Sequence, residues 1–165
     1  MAMKTDAAGR QFICDREAEG GPKLAAYRDG GGTWTIGYGT IRYPDGTPVK
    51  GGDTCTAAQA MTWYLAALPQ READVNRLVN VALTQAQFNA LVSFDYNEGV
   101  GNLSGSTLLA LINKGRYRDA APHFLDYDKI RVNGVLVPSA GLTRRRTLER
   151  DLFLSGTAPV VSAVQ

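Results

Sequence analysis

Asp29 and Thr35 put an acid and a hydroxyl six residues apart in the run Tyr27-Arg-Asp-Gly-Gly-Gly-Thr-Trp-Thr-Ile-Gly-Tyr-Gly39. An acid and a hydroxyl carried on adjacent strands and facing the same space read as an active site. The three glycines after Asp29 suit a tight turn and let a ligand approach the backbone. Thr33 to Tyr38 then reads as a strand, with Thr33 and Thr35 on one face and Trp34 and Ile36 on the other. The other reading of these residues is a solvent-facing hairpin whose Asp29 only completes its turn.

A helix upstream and several downstream must position this hairpin. Residues 5–18 have helical spacing, with Asp6 as N-cap and Ala8, Phe12 and Ile13 on one side, and Gly20-Gly21-Pro22 ends them. Two acids, Glu17 and Glu19, lie at the end of that helix. Residues 24–52 form a glycine-rich, β-biased lobe punctuated by Pro44-Asp45-Gly46. Thr56 to Gln59 is a capping box before an apolar helix to about Leu68, and Pro69 predicts a break or kink before a second helix at Arg71 to Val79. A second capping box, Thr84 to Gln87, opens a helix through Tyr96 with too many apolar positions for a surface element. Shorter helices are expected near 106–113, 117–127 and 141–154, with an Asn133-Gly134 hairpin before the last and a fraying tail from Thr157.

The ordered set of motifs resembles the phage lysozyme (endolysin) family, which cleaves peptidoglycan. It is carried by Gly9-x-x-Phe12-Ile13-x-x-Arg16-Glu17, by Leu24-x-Ala26-Tyr27-x-Asp29 with Gly32-x-Trp34-Thr35-Ile36-Gly37-Tyr38-Gly39, by Leu83 to Gly99, by Ser106-Thr-Leu-Leu109, and by Gly141-Leu-Thr-Arg-Arg-Arg-x-x-Glu-Arg150. The resemblance implies an α+β, mostly helical, lysozyme-like fold in a single domain over residues 1–165, with a small β-lobe joined to a larger helical lobe. It further implies a general acid at Glu17, water held by Asp29 and Thr35, and Arg145 paired with the catalytic glutamate from the C-terminal helix. Such a pair of carboxyls, one giving a proton to the leaving oxygen and one serving the water, is what glycosidic hydrolysis requires.

Two departures from the family pattern matter. Glu17 lies twelve residues before Asp29, farther than is usual, and Glu19, ten before it, has the following glycine. Phe12 and Ile13 keep their family offsets only if Glu17 is the acid. Glu19 would turn the carboxyl by about 200° around the helix. Thr40 stands where many relatives carry a structural histidine. In Arg144-Arg145-Arg146, a solvated basic helix face is the alternative to a site role, more so for the two neighbours than for Arg145. Tyr27, Trp34 and Tyr38 could stack on sugars, although core packing is the favoured reading of Trp34. His123 reads as a satisfied structural histidine.

Composition agrees with these readings without selecting among them. The 165 residues suffice for a self-supporting core, and 44% hydrophobic with 21% charged residues excludes global disorder. A net charge of +2 suits a polyanionic wall but gives no case for nucleic-acid binding. Cys14 and Cys55 read as free thiols; no cofactor, metal cluster, phosphate loop or serine elbow is indicated. No segment reads as a signal peptide or membrane span, so the expectation is a monomer made in the host cytoplasm, without stable membrane insertion, that reaches peptidoglycan in the periplasm through a separate holin. A lytic transglycosylase acting on the same bond and a catalytically degenerate wall-binding module are the rival readings.

Overall fold

The computed structural model describes residues 2–17 and 20–156. Glu19 and the tail from Thr157 fall outside the described residues. The first helix, α1, spans Ala7–Glu17. It is capped as expected, since the Asp6 carboxylate accepts the Gly9 amide at 2.8 Å. Its inward face is Gly9, Ile13 and Cys14. Ala8 points outward, so the apolar stripe is turned slightly from the sequence reading. Glu17, four residues after Ile13, continues the inward face.

Two short strands follow, β1 at Lys23–Arg28 and β2 at Trp34–Gly37, paired antiparallel with Tyr27 opposite Thr35 and Arg28 opposite Trp34. Isolated bridges from Ala25 to Thr54 and from Arg42 to Pro48 close the rest of this lobe. Helix α2, Ala57–Leu78, leaves the lobe through the expected Thr56–Gln59 capping box. It is one helix, not two: Pro69 lies inside it. Proline removes a single ladder bond, while Tyr64, Leu68 and Val75 bury the same helix face on both sides of it. Leu65, whose carbonyl loses that bond, is exposed enough to meet solvent.

Helix α3, Gln85–Ser104, opens on the second capping box and holds the core, with Phe88, Leu91, Val92 and Phe94 essentially inaccessible. It extends beyond Tyr96 but is interrupted at Gly99, whose φ of 80° and ψ of 158° are not helical. Then come α4 at Thr107–Ile112 and α5 at Tyr117–Ala120. The expected helix over 117–127 is α-helical only in that first turn; Ala121–Tyr127, with Pro122 at its start, is a 3₁₀ helix. The strands β3, Lys129–Val132, and β4, Val135–Pro138, form the Asn-Gly hairpin, with Asn133 at φ 48° and Gly134 at φ 84°. The last helix, α6, Ala140–Ser155, buries Arg145, Arg146, Glu149 and Phe153 against α3. Cys14 and Cys55 are free thiols.

The architecture is therefore α+β and mostly helical, with two small two-stranded sheets among the described residues. Among the described residues no helix is long and apolar enough to cross a membrane.

Candidate active site

The hairpin turn is built by Asp29 itself. Its Oδ1 accepts the amides of Gly31 at 2.9 Å and Thr33 at 2.8 Å, and its own amide donates to the Thr33 carbonyl at 3.0 Å. Fixing one oxygen in this way leaves Oδ2 aimed along the ribbon. The Thr35 hydroxyl reaches Oδ2 at 3.4 Å and the Thr33 carbonyl at 3.2 Å, two acceptors for one proton. Thr35 is buried, 4% exposed, so its hydroxyl is held rather than free to rotate into solvent.

Cross-strand pairing adds Tyr27 to the same face, because directly opposed residues in an antiparallel pair project together. Burial pushes the Tyr27 phenol up from its ordinary value, and the charges of Glu17 and then Asp29 push it further. One phenol thus lies within electrostatic reach of both carboxyls, which brings the end of α1 and the hairpin turn to a common space. Trp34 faces the other way. It is half-buried under the Arg28 guanidinium, 4.6 Å from the ring centroid, and against Gly51, so it is not part of the core that the sequence suggested for it. Tyr38 does belong to that core.

Glu17 is placed by long-range contacts. Its side chain is 10% exposed, and its Oε1 stands 2.6 Å from Nη2 of Arg145 on α6. Gly39 makes room for it: with φ at 83°, a Cβ there would come within 2.7 Å of Glu17 Oε2. Tyr96 on α3 completes this wall, its hydroxyl donating to the Tyr38 carbonyl at 3.0 Å. Burial pushes the Glu17 carboxyl above the ordinary carboxylate range, and the attraction of Arg145 recovers only part of that shift. Such an acid keeps its proton at a pH where an exposed glutamate has lost it.

The residues that hold Arg145 were not visible as site residues in the sequence. Glu149, 0% exposed, accepts from Arg145 Nε at 3.0 Å and from the Ser93 hydroxyl at 2.7 Å. Its other oxygen meets Arg146. Arg146 is not on a solvated face: it is fully buried, pairs with Glu98 at 3.0 Å, bonds Asn97, and lies over the Phe94 ring. The i, i+4 spacing of Arg145 and Glu149 was the available signal. Arg144 is exposed. Thr40 is buried and exchanges two 2.9 Å backbone hydrogen bonds with Ile36, which tie the strand end without a histidine. His123 pairs with Asp126 at 2.7 Å on the 3₁₀ helix. No group of His, Cys, Asp or Glu among the described residues could hold a metal ion.

The arrangement is that of an acid with a raised proton affinity at a helix end and an acid–hydroxyl pair on a hairpin, with Tyr27 within electrostatic reach of both carboxyls. Comparison with known proteins points the same way. Residues 17–149 match the phage lysozyme family. The endolysin of Acyrthosiphon pisum secondary endosymbiont phage 1 is 36% identical over 135 residues, covering 82% of this chain and 89% of that protein. An endolysin structure from Escherichia coli O157:H7 phage FAHEc1 superposes with a TM-score of 0.86 at 38% identity, covering 96% of this chain and 98% of the other. The muramidase domain of SpmX from Asticaccaulis excentricus does so with a TM-score of 0.80 at 33% identity, over 94% and 99% of the two chains. With a match of that length and relatives of that coverage, this chain is a lysozyme-type endolysin of the phage lysozyme family.

Proposed function

We propose that the chain, working as one lysozyme-like unit, hydrolyses the β-1,4 bond from N-acetylmuramic acid C1 to N-acetylglucosamine O4 in peptidoglycan. The observation that carries this reading is the pairing of a buried, proton-retaining Glu17 with an Asp29 carboxylate whose second oxygen engages the Thr35 hydroxyl. Glu17 gives its proton to the leaving O4. Asp29, with Thr35 as its partner, orients the water that adds to C1. Arg145 holds the Glu17 carboxyl in place and stabilises the carboxylate left after proton transfer. A transglycosylase would need the glutamate alone, so the Asp29–Thr35 pair supports hydrolysis.

Lysis of outer-membrane-permeabilised cells tests the assignment of the acid. Glu17→Gln should slow clearing by at least about two orders of magnitude, as loss of a general acid does, while Glu19→Gln keeps most activity. The reverse result would move the acid to Glu19, and undiminished wall binding without any clearing by the unaltered protein would favour the degenerate module. The route to the wall is a further part of the proposal: a separate holin opens the membrane. Cells expressing this chain alone should stay intact until chloroform is added, and spontaneous lysis would contradict that.

A further inference from the structure

A buried arginine beside a general acid poses a difficulty, because a full two-pronged Arg–carboxylate pair would hold the acid ionised. The geometry around Arg145 answers it. Its closest nitrogen to Glu17 is Nη2, 2.6 Å from Oε1, yet that oxygen accepts no hydrogen bond, and Nη2 donates to the Ser93 carbonyl at 3.2 Å. Its Nε is turned to Glu149 Oε1 at 3.0 Å, and the Ser93 hydroxyl fixes that same oxygen at 2.7 Å. On the other side, Arg146 occupies Glu149 Oε2, so the carboxylate cannot rotate away. Ser93 and Glu149 are both 0% exposed, and a buried polar group held from both ends has one orientation.

We propose that Glu149 is a positioning residue of this site: by engaging Arg145 Nε along its own carboxylate it keeps that nitrogen from Glu17, so that Glu17 begins the reaction protonated. This rests on the reading of Glu17 as the acid. The groups that face Glu17 from other elements leave the decision to α6. Cys14 on α1, Tyr27 on β1, Tyr64 on α2 and Tyr96 on α3 all interact with its charge, but burial pushes each of them up, so they are neutral around pH 7. The charges that remain are Arg145 and Arg146, which favour the ionised form, and Glu149, which opposes it.

The sign of the effect follows. Removing the Glu149 charge removes its repulsion and frees Arg145 Nε to turn to Glu17, so the proton is lost at lower pH. In Glu149→Gln the alkaline limb of the pH profile of kcat/KM should move down by about one pH unit, an activity loss of about tenfold above that limb, with activity recovered on acidification. Because this variant leaves two arginines buried on one charge fewer, the charge-balanced double variant Glu149→Gln/Arg146→Gln should be measured beside it. Ser93→Ala, which removes only the hydroxyl that orients Glu149, should shift the limb in the same direction by a smaller amount. The Glu17 carboxyl should be titrated in parallel by ¹³C NMR of the full chain, whether or not the variant is active. A carboxyl midpoint that falls with the activity limb supports the proposal. An unmoved midpoint, with activity reduced evenly at every pH, would show Glu149 to be structural and overturn it. Retained activity in Glu17→Gln would instead remove the general-acid reading while the NMR titration still decided the coupling.

Discussion

The two halves of the site are built in opposite ways. Asp29 and Thr35 are held by bonds that span at most six residues, on a ribbon whose turn is exposed. Glu17 is held by a residue more than a hundred positions away, which is itself held by buried groups on α3 and α6. The difference follows from the chemistry assigned to each half. A carboxylate that serves water can stay near solvent and be organised by local amides, whereas an acid that must keep its proton needs burial, and burial has to be supplied by the core. Variants in the hairpin should therefore cost activity and little stability, and variants around Glu17 should cost both.

The largest expected effect lies in the buried half. Arg145→Met strips the buried Glu17 of its cation and leaves Glu149 to Arg146 alone, and breaking a buried pair from one side typically costs about 3–5 kcal/mol. Chemical denaturation should show that loss; a stability near that of the unaltered protein would mean the ion pair is not a structural link between α1 and α6. Glu17→Gln, by contrast, keeps shape and removes the charge, so its loss of about two orders of magnitude in rate should come with native circular dichroism.

The hairpin half should respond differently. Asp29→Asn and Thr35→Val should each remove most of the lytic rate while shifting stability by no more than about 1 kcal/mol, since valine keeps the β-branched shape and the turn amides keep an acceptor. Their double variant should lose much less than the product of the single losses, because the pair acts on one water. Multiplicative losses in steady-state rates would show that the two side chains work independently.

The smallest expected effect sharpens the contrast by finding burial without a catalytic use. Asp95 on α3 is fully buried, neither carboxylate oxygen accepts a hydrogen bond, and Arg71 stands 3.7 Å away. Burial pushes its carboxyl up to about 6, with Arg71 opposing the shift. A carboxyl with a folded pKa above its unfolded value destabilises the fold once ionised, so this cost is absent near pH 4 and grows as pH rises through about 6. Asp95→Asn should therefore raise the melting temperature by a few degrees at pH 7.5, about 1–3 kcal/mol, and by little at pH 4. An equal gain at both values would point to packing rather than charge.

Local bonding also decided what could be read from the residues alone. The Asp6 cap, both capping boxes, the Asn133-Gly134 turn and the Asp29 turn are set within six residues or fewer, and all were legible. Pro69 misled because its local cost is overruled by the packing of Tyr64, Leu68 and Val75 into a core whose other members lie outside any window around the proline. Arg146 misled for the same reason: a basic run looks solvated until Glu98, Asn97 and Phe94 from α3 are folded over it. Resemblance to the family supplied the Arg145–Glu17 pair, while the roles of Ser93 and Glu149 emerged only from the packed helices.

The central claim is that water, placed by Asp29 and Thr35, completes the reaction that Glu17 starts. Mass spectrometry of peptidoglycan digested in ¹⁸O water tests it directly. The account predicts muramic acid fragments with reducing ends that carry one ¹⁸O. Anhydro-muramyl ends, lighter by one water and unlabelled, would contradict it and assign the chain to transglycosylation.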